Sequence, residues 1–433
     1  MSPGRRAALD VRLAAERGRR LERAFDEVAS SLDTRERRFT YELAWGTTRL
    51  RARLDHLLSA FVRKGMEDTD PTVREVLRVG AYQLLYMDRV PEYAVVSESV
   101  EQVREEVGRG PTGFVNAVLR KVAESGDGPD RFPDPDATPL DHLETWGSHP
   151  RWLLDRWAAR LDLERVRALV AANNRRPETC LVPLKGTPEA LVDALGVADI
   201  DADVVGEASD CVRLRASSSV SEALAVAGPA VVQDPAANLV VRYANVPLGT
   251  MVADLCAAPG GKALVLSTKA RRVLAADRSE QRIRMVQQNV ERTGQRHVSA
   301  VVADALHPPV RDADVVLLDV PCTGTGTLAR HPDARWRLAP DDPASLAATQ
   351  SALLSATADS VRPGGLLVYS TCTLESEENE GVVGRFLANR SDFELEPCND
   401  EVRERVDEEG YLRVWPDKSG FDGAFAARMR KAT

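Results

Sequence analysis

The sequence predicts a multidomain protein: an all-α amino-terminal domain, a small α+β connector and a carboxyl-terminal α/β domain of the Rossmann-like type. Three observations predict it. Apolar residues recur at helical intervals up to about residue 125, a run rich in proline and glycine follows, and from Val252 onward short apolar runs alternate with helical segments. The chain of 433 residues has room for two to three domains. We expect a linker over 126–149 and domains over 1–125, 150–230 and 231–433.

The amino-terminal region shows the periodicity of packed helices. Apolar residues from Val73 to Leu85 fall on one helical face, and Asp70-Pro71 supplies a cap and a first helical position. Pro91 ends that segment and Glu92 begins the next, while a further helix is expected over 114–122. No strand pattern interrupts these residues, so the sequence predicts a compact helical domain.

The carboxyl-terminal half carries five short apolar runs separated by loops and helices. Such alternation is typical of a doubly wound parallel sheet, whose ligands bind outside the carboxyl ends of the strands. The predicted strands are V-A-D-L-C (252–256), R-V-L-A-A-D (272–277), V-S-A-V-V-A-D (298–304), V-V-L-L-D (315–319) and L-L-V-Y-S (366–370).

Composition narrows the class of protein. No stretch approaches the roughly 18 apolar residues of a membrane span, and the six cysteines show no C-x-x-C pair, so we expect a reduced cytoplasmic protein without metal. The formal charge of −9 argues at first against a nucleic-acid partner. Residues 1–63, however, carry 14 Arg against 9 acidic residues, which leaves open either a basic binding face or an ordinary solvated helix surface.

The loop after the first strand has the composition of a ligand-binding turn. Small residues and glycines from Leu255 to Lys262 let a ligand approach the backbone closely, although a tight strand-to-helix turn fits equally well because G-x-G-x-x-G is missing. Asp277 ends the second strand 17 residues after Gly260, near the interval at which an acidic residue meets ribose hydroxyls. Asp304 ends the third strand, where a carboxylate can accept a bond from an amino group.

Two cysteines indicate the reaction class. Cys322 and Cys372 each follow a strand end beside Asp319. Thiolates are strong carbon nucleophiles, but an ordinary pKa near ~8.5 leaves few of them charged, so a nearby Lys262 is expected to lower the pKa. The remaining cysteines are predicted to act through burial or backbone alone: Cys180, Cys211, Cys256 and Cys398.

Several motifs together resemble the RNA cytosine-5 methyltransferases. They are A-A-P-G-G-K (257–262), D-x-P-C-T-G-T-G (319–326) and S-T-C-T-L-E-S-E-E-N (370–379). The whole layout is similar to the bacterial Sun/Fmu (RsmB) family of 16S ribosomal RNA methyltransferases, which carries a NusB-like helical domain before a class I methyltransferase domain. The matching amino-terminal stretches are 32–49, 77–86 and 113–121. Two departures are Val320, where the family usually has Ala, and the ending over 422–431.

The resemblance implies a cofactor, a partner and a role for each site residue. The cofactor is S-adenosyl-L-methionine, and the substrate is 16S ribosomal RNA met before full subunit assembly, by resemblance at the cytosine at position 967. Cys372 is implied as the nucleophile, Asp319 as the group that binds the cytosine edge near the sulfonium, and Cys322 as the base that removes the C5 proton. The implied cofactor-binding residues are Cys256, Ala257, Ala258, Pro259, Gly260, Gly261, Lys262, Asp277 for the ribose, Asp304 for the adenine amino group and Asp319. A monomer is expected.

Other functions stay open at this point. A DNA cytosine methyltransferase would use the cysteine of the P-C motif as its nucleophile. The presence of Cys372 and of the NusB-like region disfavours this hypothesis. An RNA methyltransferase acting on another rRNA or tRNA site, or a non-catalytic RNA-binding assembly factor, would share much of the layout. Residues 330–333 and 335–337 are interpreted as RNA contacts, with a surface loop pinned by Trp336 as the alternative.

Overall fold

The structure is a computed structural model that describes residues 2–206, 210–215, 218–396 and 402–433. The chain forms two compact units. The first contains the residues up to Arg175 together with Leu328–Pro340, and the second contains Arg176–Thr327 and Asp341–Thr433. The sequence predicts three domains and a linker where the structure divides into two units, so the predicted domain bounds stay predictions.

Helices build the first unit, as the periodicity predicts. Asp70 caps the helix that begins at Pro71, because its Oδ1 accepts hydrogen bonds from the backbone N–H groups of Thr72 (2.9 Å) and Val73 (3.1 Å). A 3₁₀ turn (Pro129–Arg131) lies in the predicted linker. The α-helices before Arg175 are α1 (Pro3–Glu16), α2 (Leu21–Val28), α3 (Thr34–Arg49), α4 (Arg51–Ser59), α5 (Pro71–Tyr86), α6 (Glu92–Glu106), α7 (Thr112–Ser125), α8 (Pro139–Thr145), α9 (Arg151–Ala158) and α10 (Leu163–Asn173).

A small antiparallel sheet begins the second unit. Its strand order is β2-β3-β1-β4, and its buried face packs on two helices through an apolar cluster. These elements fit the α+β character predicted from the alternation of apolar runs and turns. They are β1 (Thr179–Pro183), α11 (Pro188–Val197), β2 (Ala202–Val204), β3 (Val212–Leu214), α12 (Val220–Ala227) and β4 (Ala230–Val232).

A mixed sheet of eight strands, counted over the described ranges, dominates the second unit. Its order is β10-β12-β9-β8-β5-β6-β7, with β11 pairing β12. The strands are β5 (Met251–Asp254), β6 (Arg272–Asp277), β7 (Val298–Val302), β8 (Ala313–Asp319), β9 (Val361–Thr371), β10 (Phe393–Leu395), β11 (Leu412–Val414) and β12 (Ala424–Lys431). The helices around it are α13 (Pro235–Ala244), α14 (Gly261–Leu266), α15 (Glu280–Thr293), α17 (Asp342–Ala358), α18 (Glu380–Asn389) and α19 (Pro416–Ser419), and α16 (Ala334–Arg337) lies in the segment that joins the first unit.

The five predicted strands pair in parallel with one another, which confirms that part of the prediction. The sheet also contains antiparallel strands that the sequence did not indicate, because β12 runs antiparallel to β9 and β10. Central strand β8 has Val315, Val316, Leu317 and Leu318 buried, since helices cover both faces of a parallel sheet. Its carboxyl end therefore opens toward the loop that carries Cys322.

The segment Leu328–Pro340 corrects the RNA-contact hypothesis for residues 335 and 336. The Arg335 side chain is fully buried and donates to carbonyl groups of its own unit, among them those of Ser148 (3.0 Å) and Asn173 (3.0 Å). The indole N–H of Trp336 donates to the Thr48 carbonyl at 2.8 Å. Both side chains are used for packing, so neither is free to hold RNA.

Candidate active site

Two sulfur atoms meet at the carboxyl ends of β8 and β9. The Sγ atoms of Cys322 and Cys372 lie 3.3 Å apart, and both side chains are half-buried. Parallel pairing of β8 with β9 places Asp319 opposite Ser370, so the residues that follow each strand emerge side by side. The two cysteines that the sequence singles out thus face one another.

Asp319 is held by two donors. Lys262 donates from Nζ to Oδ2 at 2.7 Å, and the hydroxyl of Ser370 donates to Oδ1 at 2.8 Å. Burial by itself would lower the pKa of Lys262, but the attraction of the Asp319 carboxylate outweighs it and raises the pKa. Lys262 therefore stays charged beside the carboxylate.

A third carboxyl group lies at the end of the neighbouring strand β5. Asp254 is 1% exposed, and neither of its side-chain oxygens has a well-formed hydrogen-bond partner among the described residues. Burial, followed by the negative charge of Asp319, raises the pKa of Asp254 to about 7. An unsatisfied buried carboxyl group is costly, which makes this position a candidate for binding a positively charged ligand group.

The loop over 256–262 is a tight turn between β5 and α14. Gly260 has φ +102°, a conformation that L side chains rarely adopt, and its backbone N–H donates to the Ala257 carbonyl at 2.7 Å. Burial raises the pKa of the Cys256 thiol well above its ordinary range, with the carboxylates of Asp254 and Asp319 adding to the shift. Cys256 is thus held as a neutral thiol, in keeping with the expectation of a backbone role.

Asp277 lies at the end of β6, next to this loop. Its Oδ1 accepts from the Ser279 N–H at 2.9 Å, and its Oδ2 pairs with Arg282 at 3.2 Å. Arg282 also donates to the Ala258 carbonyl, so one guanidinium ties the loop to the strand end. This arrangement brings Asp277 together with the rest of the predicted cofactor loop.

Asp304 is the predicted site residue with the least contact to the others. It lies two residues beyond the end of edge strand β7, is exposed, and accepts from the Leu306 N–H at 3.0 Å. No described side chain of the site bonds to it. Its local hydrogen bond is that of a turn former, and its role toward an adenine stays a prediction.

A hydrogen-bond network joins the loops that carry the two cysteines. Glu378, which is fully buried, accepts from the Thr323 N–H (2.9 Å), the Thr373 hydroxyl (3.0 Å) and the Gln350 amide (2.9 Å). Gln350 also donates to the Pro321 carbonyl at 2.9 Å. Threonines next to each cysteine are thereby bound to one carboxyl group.

Gly326 shows why the motif after Cys322 needs a second glycine. Its N–H donates to the Cys372 carbonyl at 3.0 Å, and an added Cβ would stand 2.7 Å from that same oxygen. The two loops therefore approach more closely than any side chain at residue 326 allows.

The protonation of Cys322 differs from the expectation. A hydrogen bond with Cys372, and after it burial, raises the pKa of Cys322 well above its ordinary value. The pKa of Cys322 is therefore raised and not lowered, and the Lys262 ammonium forms its ion pair with Asp319. Cys322 holds its proton when the pair is at rest.

Two important side chains were missed from the sequence. Asp254 ends a strand, as Asp277 and Asp319 do. In the sequence, however, the apolar run continues through Leu255 and Cys256, so the end of the strand could not be recognised at Asp254. Glu378 lies in the S-T-C-T-L-E-S-E-E-N motif, where nothing in the spacing shows that it reaches both loops. The cysteines Cys180 and Cys211 are buried in the core as expected, and Cys398 lies outside the described residues.

The described ranges contain neither a cluster of metal ligands nor a membrane-spanning helix. His, Cys, Asp and Glu side chains do not gather there in groups of three or more that could hold an ion. Within those ranges no helix combines the length and the apolar character needed to cross a membrane.

Comparison with known proteins reveals relatives along nearly the whole chain. Residues 245–430 match the sequence model of the 16S rRNA methyltransferase RsmB/F family, residues 3–124 match the NusB family, and residues 149–221 match the RsmF/B-like ferredoxin-like domain. A probable ribosomal RNA small subunit methyltransferase B of Bacillus subtilis is 30% identical over 93% of this chain and 92% of its own. A putative methyltransferase of Mycobacterium tuberculosis is 34% identical over 92% and 89%.

A solved structure shares the fold. The crystal structure of PH0851 superposes with a TM-score of 0.82 at 25% identity, covering 100% of this chain and 99% of that one. A sheet of this order, with a glycine-rich turn after its first parallel strand and carboxylates at successive strand ends, defines a class I methyltransferase. The chain belongs to the RsmB/F family of 16S rRNA methyltransferases.

Proposed function

We propose that this protein transfers a methyl group from S-adenosyl-L-methionine to C5 of a cytosine in 16S ribosomal RNA. The observation that carries the proposal is the 3.3 Å separation of the Cys322 and Cys372 sulfurs beside the paired Lys262 and Asp319. A thiol nucleophile, a second thiol and a hydrogen-bonding carboxylate are the groups that addition to a pyrimidine ring requires.

The chain has a fitting place for the methyl donor. The cofactor loop (residues 256–262) is a tight turn in which Gly260 has φ +102°, and the buried Asp254, whose oxygens have no well-formed hydrogen-bond partner among the described residues, offers a carboxyl group to the cationic amino group of a methionine moiety. Asp277 is assigned to the ribose and Asp304 to the adenine amino group. When bound, S-adenosyl-L-methionine supplies a methyl group on a sulfonium, which an electron-rich carbon accepts.

The residues act on the cytosine in two stages. The Cys372 thiolate adds to C6, which moves the ring's double-bond electrons so that C5 becomes nucleophilic, and the Asp319 carboxylate accepts a hydrogen bond from the N4 amino group of the cytosine. After methylation the Cys322 thiolate takes the C5 proton. The electron pair of that C–H bond re-forms the C5–C6 double bond, and the S–C6 bond breaks with its electrons returning to Cys372.

The raised pKa of Cys322 fits this order of events. While Cys372 is free, Cys322 keeps its proton and donates toward the neighbouring sulfur. Once the Cys372 sulfur is bonded to carbon it cannot carry negative charge, so the pKa of Cys322 falls and the proton can leave to water. Cys322 then becomes a base only after the adduct has formed.

Exposed arginines of the helical unit supply a surface for RNA. Within the described ranges none of them takes part in an ion pair, which leaves them available to phosphates. They are Arg17, Arg20, Arg23, Arg35 and Arg38. We assign them to docking of 16S rRNA by a monomeric, cytoplasmic protein before the small subunit is fully assembled.

Methylation of RNA from a strain lacking this gene tests the proposal. The purified protein, labelled S-adenosyl-L-methionine and either naked 16S rRNA or assembled small subunits are incubated, and 5-methylcytosine is mapped by bisulfite sequencing. The wild-type protein should methylate one cytosine of naked 16S rRNA, which then resists bisulfite. Cys372→Ala should methylate none. With total RNA from the same strain as the substrate, methylation confined to tRNA or to another rRNA would contradict the proposal.

A further inference from the structure

The buried carboxyl group of Glu378 serves both cysteine loops at once. On the Cys322 side it accepts from the N–H and the hydroxyl of Thr323, and on the Cys372 side from the hydroxyl of Thr373. The two threonine hydroxyls also lie 2.7 Å from each other. Glu378 thus contacts the residues that directly follow the two reactive sulfurs.

A second layer fixes this carboxyl group. Gln350 donates to Glu378 Oε1 and to the Pro321 carbonyl, both at 2.9 Å, and its own oxygen lies 3.2 Å from the Tyr369 hydroxyl. Tyr369 lies within 2.6 Å of the Glu378 carbonyl, to which it donates. Gln350, Tyr369 and Glu378 are all fully buried, so their geometry is set by packing and not by solvent.

The two cysteines depend on this network to different degrees. Cys372 directly follows β9, whose Ser370 and Thr371 pair with Ala426 and Phe425 of β12 on one side and whose Ser370 pairs with Asp319 of β8 on the other. Cys322 lies on a loop outside any strand. Strand pairing therefore holds the backbone that leads into Cys372, whereas the Pro321 carbonyl and the Thr323 N–H, on either side of Cys322, bond to the side chains of Gln350 and Glu378.

We propose that Glu378 is a positioning residue that holds Cys322 against Cys372 for the release step of the reaction. The inference rests on the function proposed above. In Glu378→Gln the oxygen that accepts from the Thr323 and Thr373 hydroxyls becomes an amide donor, so these hydroxyls lose their acceptor and the turn from Pro321 to Gly324 shifts. Addition of Cys372 to C6 continues, but the Cys322 thiolate no longer reaches the C5 proton, so the C5–H and S–C6 bonds do not break.

The experiment compares turnover with trapped adduct in Glu378→Gln. We expect the release of methylated RNA to slow by about a hundredfold, the effect of a misplacement of about 1 Å. An RNA–protein adduct should accumulate on denaturing gels to the level seen with Cys322→Ala. Binding of S-adenosyl-L-methionine should match that of the wild type. Glu377→Gln, the same charge change one residue away on a half-buried side chain, should turn over normally.

Thr323→Val is the second variant, because it removes one hydroxyl and keeps the shape of the side chain. It should trap a smaller fraction of adduct in a protein that remains folded, and it decides the case if Glu378→Gln does not fold. Normal turnover of either folded variant, or slow turnover without adduct, would overturn the assignment of Glu378 while leaving the function in place. A wild-type protein that methylates no RNA would overturn both.

Discussion

Lys262 and Asp319 form an ion pair at 2.7 Å between the cofactor loop and the strand end that precedes Cys322. The pair joins the two halves of the site, since Lys262 lies in the first turn of α14 and Asp319 ends β8. It also keeps a positive charge near two carboxyl groups, those of Asp319 and Asp254. The Lys262 ammonium thus offsets part of the negative charge of the site before any substrate enters.

Lys262→Gln should leave these carboxyl groups without a cation. Methyl transfer should fall at least about tenfold, because even a loss of about 1.4 kcal/mol in transition-state stabilisation has that effect. Initial rates of methyl transfer to 16S rRNA measure it. The matched control is Lys269→Gln, an exposed lysine just beyond the same helix, and equal rates in both variants would contradict the role of the ion pair.

Asp254→Asn should change how stability depends on pH. The pKa of Asp254 is about 7 in the folded protein against 3.8 in the unfolded chain, so its stabilising contribution is complete below about pH 4 and is lost as pH rises through 7. Between pH 5 and pH 8 the free energy of unfolding of the variant should therefore rise relative to that of the wild type, by up to about 3 kcal/mol. Urea unfolding of both proteins at both pH values measures this. If the difference in free energy of unfolding between variant and wild type is the same at pH 5 and pH 8, the pKa of Asp254 is not raised by burial.

Cys372→Ala should make Cys322 more reactive. The hydrogen bond with Cys372 is the main cause of the raised pKa of Cys322, so its removal should bring alkylation by iodoacetamide to lower pH. Mass spectrometry of peptides after alkylation at several pH values measures this for each cysteine separately. Cys256, whose pKa is raised by burial and carboxylates, should be unaffected, and a Cys322 profile as unchanged as that of Cys256 would contradict the coupling.

Arg335→Ala should destabilise the helical unit. Burial lowers the pKa of Arg335 to about 9, yet its guanidinium satisfies the carbonyl groups of Ser148 and Asn173. Each buried acceptor left without a donor costs about 1–3 kcal/mol, so thermal unfolding should occur several degrees lower. Arg337→Ala removes an exposed arginine paired with Asp333 and should cost less than about 1 kcal/mol. Equal melting temperatures for the two variants would contradict the assigned difference.

Much of the fold could be predicted because local signals were strong. Asp70-Pro71 begins α5 as expected, and Val315–Leu318 form a buried central strand. Strand β12 could not be predicted, since A-F-A-A-R-M-R-K has neither alternation nor β-branched residues. Pairing with β9 and β10 on either side places it in the sheet, and that is tertiary information.

The candidate site was predictable where chemistry and strand ends coincide. Asp319, Cys322 and Cys372 were singled out on that ground and lie close together, whereas Asp254 was hidden inside an apolar run and Glu378 acts across long sequence separations. Arg335 and Trp336 suggested RNA binding by residue type alone. Their burial depends on carbonyls of Thr48, Ser148 and Asn173, which no local pattern reveals.

Covalent trapping of RNA by cysteine variants tests the central claim most directly. Cys322→Ala, incubated with 16S rRNA and S-adenosyl-L-methionine, should yield an RNA–protein adduct that survives a denaturing gel, because addition by Cys372 proceeds and release fails. Cys372→Ala should yield neither adduct nor methylated RNA. An adduct that persists in Cys372→Ala and disappears in Cys322→Ala would contradict the assignment of the nucleophile.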